Sequence, residues 1–244
     1  QYILHHCDAE TLFIDYTLRK RYHSVKDQIP NIKTIIWWKE EKQIVEGVRE
    51  NFELSYNEIY SMPATPPPPV DLYENDLMSI VYTSGTTGRS KAVMLYHKSY
   101  HAMASAIIEI VELRNDDIFF VWEPLFHITG QEFFMATLLG DVKMVLVRRF
   151  SASRFWDQVR KYDATIIHYL GGVLNYLYKQ PEKANDSKNP VRIAFGGGAP
   201  SKLWNKFEER FRVEIREDYG LTEGASFTTI NKNRKVGSIG KPLA

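Results

Sequence analysis

The residues with the most chemistry in them lie between Met78 and Lys91, in the stretch MSIVYTSGTTGRSK. Ser84, Thr86 and Thr87 offer hydroxyls after the strand-like run Ser79–Thr83, and Gly85 and Gly88 let the backbone take positive φ and approach a ligand closely. Backbone N–H groups in such a turn converge into an anion-binding concavity, and Lys91 adds a cation at its mouth. That composition describes a phosphate cradle, and it equally describes an ordinary Gly/Ser/Thr turn. It does not describe a P-loop, because only two residues separate Gly85 from Gly88 and Lys91 runs into Ala92, Val93, Met94 and Leu95. Those residues have strand character, so the spacing predicts a hairpin with the glycines at its tip. A P-loop phosphotransferase would need a helix beginning at Lys91.

Further segments with candidate chemistry follow downstream. EPLFHITG, Glu123–Gly130, places His127 in a loop, where a lone histidine is commonly packed or solvated. Gly196-Gly197-Gly198-Ala199-Pro200 is costly in conformational entropy. It is either a tight strand-to-helix turn or a place where a ligand meets bare backbone. Asp218-Tyr219-Gly220-Leu221-Thr222-Glu223 combines an aromatic ring, a hydroxyl and carboxylates.

The elements that must position these residues read as alternating strands and helices. Strands are predicted at Thr11–Asp15, Lys33–Trp37, Ile118–Trp122, Lys143–Val147, Ala164–Tyr169, Val191–Phe195 and Val213–Arg216. Helical spacing covers Lys98–Leu113, Gln131–Leu139, Ser153–Tyr162, Gly172–Gln180 and Ser201–Phe211, with 182–189 a surface loop. Leu18, Tyr22 and Val25 recur at helical spacing between the first two strands, completing a β-α-β unit. The alternation predicts an α/β fold, mostly parallel sheets flanked by helices. The candidate motifs each follow a predicted strand, at the carboxyl ends where such sheets bind ligands. Residues 1–62 read as part of a first α/β subdomain, 63–77 as a connector opening on the proline run PATPPPP, and 78–244 as the core of the main domain.

TSGTTGRSK resembles the signature loop of the adenylate-forming superfamily of acyl-CoA synthetases, peptide-synthetase adenylation domains and luciferases, and the downstream motifs match that family in order. The family's usual proline and glycine are replaced by Ser90 and Ala92. The resemblance implies that Thr83, Ser84, Gly85, Thr86, Thr87, Gly88 and Lys91 hold the β- and γ-phosphates of ATP. It implies that Gly196, Gly197, Gly198, Ala199 and Pro200 lie against adenine and the acyl pocket. By the same resemblance Tyr219 with Gly220 stacks on the base, Thr222 bonds the α-phosphate, Glu223 supplies oxygen to Mg²⁺ and Asp218 reaches the adenine amino group. His127 then positions the acyl carboxylate; it is not a general base, since that carboxylate is already ionised at neutral pH. The implied reaction joins a small carboxylic acid to AMP and then to coenzyme A, by positioning and charge neutralisation. Phe150–Thr165, FSASRFWDQVRKYDAT, is similar to bacterial carnitine/crotonobetaine-CoA and fatty-acid-CoA ligases.

The 244 residues are 44% hydrophobic and 25% charged, as in globular proteins. A net charge of +1 gives no sign of nucleic acid or an anionic membrane surface as partner, and no apolar run is long enough to span a bilayer. With the single Cys7 excluding an internal disulfide, the expected compartment is the cytoplasm. His5 and His6 are adjacent and make a poor metal pair. Trp122, Phe126, Phe133 and Phe134 could line an acyl tunnel, cage a quaternary ammonium, or serve as plain core. The family's ribose-binding aspartate, neighbouring arginine and lid lysine have no counterpart before Ala244. The chain is therefore expected to be an internal fragment of the large N-terminal domain that turns over poorly alone. The alternatives are a homologue that binds nucleotide or acyl ligand without chemistry, and an adenylation domain of another subfamily.

Overall fold

The computed structural model describes residues 2–38, 53–84 and 88–243, which divide into two compact units. Residues 1–71 and 84–90 belong to the first, and 72–83 and 91–244 to the second.

In the first unit a short helix α1 (Tyr2–His6) precedes strand β1 (Thr11–Asp15), helix α2 (Arg19–His23), strand β2 (Thr34–Trp38), strand β3 (Glu53–Ser55) and helix α3 (Tyr56–Tyr60). The strands form a parallel sheet in the order β1-β2-β3, with Ile36 opposite both Phe13 and Leu54, so the expected β-α-β unit is present. Its core gathers Tyr22, Ile29, Ile32, Ile35 and Trp37. Tyr16 and Tyr22 meet the Trp37 ring edge-on at 5.9 and 5.5 Å, an arrangement that aromatic quadrupoles favour. The start of α3 is fixed by a capping box, in which Ser55 and Glu58 satisfy each other's backbone N–H groups. His5, His6 and the proline run are all exposed.

The second unit opens with strands β4 (Leu77–Thr83) and β5 (Lys91–Tyr96), which pair antiparallel as the predicted hairpin. There follow α4 (His97–Val111), β6 (Ile118–Val121), α5 (Ile128–Gly140), β7 (Lys143–Leu146), α6 (Phe155–Lys161), β8 (Ile166–Leu170), α7 (Val173–Tyr178), β9 (Ile193–Gly197), α8 (Ser201–Phe211), β10 (Glu214–Leu221), β11 (Ser226–Asn231) and β12 (Lys241–Pro242). The last eight strands but β5 form one sheet in the order β12-β11-β10-β9-β8-β6-β7, parallel from β10 to β7. Alternate side chains of each strand feed opposite faces. Phe119, Ile166 and Phe195 pack under α4 and α5, while Phe120, Ile167 and Ala194 pack under α6, α7 and α8. Burial on both faces is why these strands read as apolar runs rather than as alternating ones.

One boundary differs from expectation in a way that matters. The strand predicted to stop at Arg216 continues to Leu221, because Glu217–Leu221 pair antiparallel with β11. Asp218, Tyr219 and Gly220 are therefore strand residues, as are Gly196 and Gly197 at the end of β9. At the opposite end of the sheet Asp117 joins three segments, accepting from Arg192 Nε (2.9 Å), Thr165 Oγ1 (2.7 Å) and the Arg114 N–H (2.8 Å).

Candidate functional site

The hairpin register sets Lys91 opposite Thr83, where the sheet ladder ends and the glycine loop begins. Thr83 Oγ1 donates to Glu223 Oε1 at 3.2 Å, so the edge of the hairpin meets the turn Thr222–Gly224 that follows β10. Lys91 and Glu223 are both exposed, and Thr222 is half-buried. Among the described residues no group of three or more His, Cys, Asp or Glu side chains is placed to hold a metal. Glu223 is thus a single hard oxygen donor, and Mg²⁺ suits such a site because it takes most of its ligands from phosphate and water. Gly85, Thr86 and Thr87 lie outside the described residues. Ser84 and Gly88–Ser90 belong to the first unit, where Tyr2 Oη donates to the Ser90 carbonyl (3.2 Å) and Arg89 lies 5.4 Å over the Tyr2 ring. Ala92 occupies an ordinary strand position opposite Tyr82.

The glycine turn at the end of β9 is required by packing. A Cβ on Gly196 would lie 1.8 Å from the Tyr169 carbonyl oxygen, and its φ of +150° is one that side-chain-bearing residues rarely adopt. Gly198 follows with φ +89°. The neighbouring strand holds the turn from the side: the Gly198 and Ala199 N–H groups donate to the buried Glu217 carboxylate at 2.7 and 3.0 Å. Pro200 then stands at the N-cap of α8, its carbonyl accepting from the Leu203 N–H at 2.8 Å. Two residues beyond Glu217, Tyr219 exposes about half of its surface (49%), and the strand bulges between Tyr219 and Gly220. An exposed ring on the strand paired with the one that ends in this glycine turn is suited to stacking a flat base.

Asp218 reaches this turn by its backbone, its carbonyl oxygen lying 3.4 Å from where a Cβ on Gly197 would sit. Its carboxyl is buried beside that contact, with Oδ1 3.8 Å from the same point. It is 6% exposed, its Oδ2 has no hydrogen-bond partner among the described residues, and burial pushes its pKa up to about 7, with Glu217 adding to the shift and His168 opposing it. Glu132 of α5 is also pushed to about 7 by burial. Burial pushes His168 down, but the Glu123 carboxylate bound to its Nδ1, with Asp218 and Glu132 beside it, together raise it. These interior charges were not foreseen. The only signal was His168 and Glu132 inside otherwise apolar elements; Asp218 sits in a charged stretch and Glu123 in a loop.

His127 is the N-cap of α5, exposed, with Nδ1 accepting from the Thr129 N–H at 3.2 Å. That bond orders the loop, and Gly130 lets it close: a Cβ there would lie 2.3 Å from the Pro124 carbonyl oxygen. The four aromatics divide among roles. Phe133 is core, against Phe119, His168 and Phe195 at ring distances of 5.4 Å each. Trp122 Nε1 donates to the His168 carbonyl at 3.2 Å, while Phe126 and Phe134 are exposed.

No helix among the described residues is long and apolar enough to cross a membrane. The human long-chain fatty acid transport protein 1 is 38% identical over 168 residues, which are 68% of this chain and 26% of that protein. The chain thus spans about a quarter of the length of such relatives. Among solved structures, an anthranilate CoA ligase in complex with anthranoyl-AMP superposes with a TM-score of 0.83 at 24% identity, over 99% of this chain and 47% of that one. The Bacillus subtilis O-succinylbenzoate coenzyme A synthetase in complex with ATP and magnesium superposes with a TM-score of 0.69 at 22% identity, over 92% and 47%. These likenesses show the fold, and the profile of the AMP-binding enzyme family matches residues 1–244. The chain belongs to the AMP-binding enzyme family.

Proposed function

We propose that this chain is the nucleotide-holding part of an AMP-forming acid–thiol ligase. In the first step a carboxylate oxygen attacks the α-phosphorus of ATP, and the bond to the departing pyrophosphate breaks. In the second, the thiolate of coenzyme A attacks the acyl carbon and AMP leaves with the bonding pair. Each step needs alignment and neutralisation of phosphate charge more than covalent participation by the protein. In this reading Thr83 and Lys91 serve the phosphate end, Glu223 would provide an oxygen to Mg²⁺, and Tyr219 with the Gly196–Gly198 backbone would take the base. A bound Mg²⁺ would supply charge neutralisation on the phosphate oxygens. His127, ordered as a helix cap, is proposed to position the acyl carboxylate.

The observation that carries this reading is the Thr83–Glu223 contact, which brings the phosphate-loop hairpin to the turn bearing the metal-ligand candidate. The acid is proposed to be a long-chain fatty acid, supported by the name of the human relative, and the site to work in the cytoplasm. The test is acid-dependent exchange of labelled pyrophosphate into ATP by the full-length protein, over a panel of fatty acids, aromatic acids and carnitine. Exchange stimulated by long-chain acids, with coenzyme A consumed in the second step, is expected. Absence of exchange with every acid overturns the reading.

A further inference from the structure

Glu217 is a buried carboxylate whose bonding is unusual for a charge in the interior. Among the described residues no Lys, Arg or His pairs with it; the adjacent Arg216 is bound to Glu214 and to the Ile110 carbonyl instead. Buried charges are expensive unless paired and hydrogen-bonded. Every donor that satisfies this one is a neutral group at the end of β8 or in the turn after β9. The Gly198 N–H reaches Oε1 at 2.7 Å, the Ala199 N–H reaches both oxygens at 3.1 and 3.0 Å, and Tyr169 Oη donates to Oε2 at 2.9 Å. Tyr169 Oη also lies 3.0 Å from the Arg216 carbonyl. Burial, and then the Glu217 charge, push the Tyr169 hydroxyl well above its ordinary value, so it remains a donor across the working pH range.

We propose that Glu217 is a positioning residue for the nucleotide base: by holding the Gly198 and Ala199 N–H groups it sets the gap between the glycine turn and the ring of Tyr219. The argument is geometric. Glu217 and Tyr219 share one strand two residues apart, so the distance from turn to ring is transmitted through a single rigid segment. Gly196 and Gly198 have positive φ, and such a turn has little side-chain packing to define it. Without an acceptor fixed to β10, the orphaned N–H groups would seek water and the turn would open. A carboxylate provides two oxygens for three donors, which a serine or threonine at this position could not. Charge-assisted bonds of this kind are also the stronger class. Glu217 does not itself touch the base in this account. The inference rests on the nucleotide reading above.

The test compares Glu217→Ala, Glu217→Gln and Tyr169→Phe in the full-length protein. AMP and inorganic tripolyphosphate are titrated separately, and amide hydrogen exchange is read on the peptide containing Gly198 and Ala199. Glu217→Ala is expected to weaken AMP binding by about tenfold or more while changing tripolyphosphate affinity by less than about twofold. It is also expected to deprotect the two amides and to raise KM for ATP with KM for the acid unchanged. Glu217→Gln keeps Oε1 for both N–H groups and should retain AMP affinity within about threefold. Should Glu217→Ala not fold, Tyr169→Phe decides, with AMP weakened by about threefold, tripolyphosphate unchanged and partial deprotection. A folded Glu217→Ala that binds AMP as the wild type does, or that loses both ligands equally, overturns the positioning role. If the wild type binds no AMP, it is the nucleotide reading that fails, whatever the variants do.

Discussion

Thr83 and Glu223 are 140 residues apart in the chain, yet the Thr83 hydroxyl donates to the Glu223 carboxylate at 3.2 Å. A hydroxyl donor orients one carboxylate oxygen and leaves the second available for a cation. Glu223→Gln should keep the Thr83 bond and lose the charge. Adenylation should then fall by about a hundredfold or more, with the Mg²⁺ requirement shifted to higher concentration. Thr83→Val should cost only several-fold, as one neutral hydrogen bond does. Pyrophosphate exchange as a function of free Mg²⁺ checks both, and an unchanged magnesium dependence in Glu223→Gln would remove Glu223 from the metal site.

Gly196 leaves no room for a side chain. Gly196→Ala must move the Tyr169 carbonyl, 1.8 Å from the new Cβ, and also strain a backbone at φ +150°. The expected loss is at least about 3 kcal/mol, enough to appear as a large drop in the urea midpoint. Gly197→Ala meets the Asp218 carbonyl at 3.4 Å and, at ordinary contact distance, Asp218 Oδ1 and Leu170 Cδ1 at 3.8 and 3.9 Å, and should be tolerated in the fold. An equal loss for the two variants would contradict the packing described here.

The interior acids make stability depend on pH. The Asp218 carboxyl holds its proton more tightly folded than unfolded, with a pKa raised by burial from 3.8 to about 7. Its contribution is fully present below pH 3.8 and is lost as pH rises towards about 7, because the unfolded chain releases the proton first. Glu132, also raised to about 7, acts in the same direction, as does His168 with its raised value. Asp218→Asn should therefore gain stability relative to the wild type as pH rises from below 3.8 to 8, by on the order of 2 kcal/mol or more. Denaturant titrations of both proteins at the two pH values provide the measurement. A variant that gains nothing on the wild type over that range would mean that Asp218 is charged and compensated in the fold.

The alternation of strands and helices was legible because buried parallel strands write themselves as apolar runs such as Ile166–Leu170, and amphipathic helices such as Ser201–Phe211 mark their buried face with Leu203, Trp204, Phe207 and Phe211. The hairpin was legible because Lys91 is followed by strand formers. What stayed hidden was tertiary. Glu217 and Asp218 look like surface charges in a sequence, and only the pairing of β10 with both β9 and β11 turns one onto the glycine turn and the other into the interior. Likewise His127 carries no mark that distinguishes a helix cap from a ligand-facing residue. The Thr83–Glu223 contact spans most of the chain, beyond the reach of any local pattern.

The acceptor that completes the glycine turn comes from a later segment than the turn itself. During synthesis Gly198 and Ala199 leave the ribosome before Glu217, so their N–H groups stay solvated until β10 docks beside β9. The glycine turn therefore gains its acceptor only once β10 has docked beside β9, and its geometry is a product of that docking rather than of its own residues.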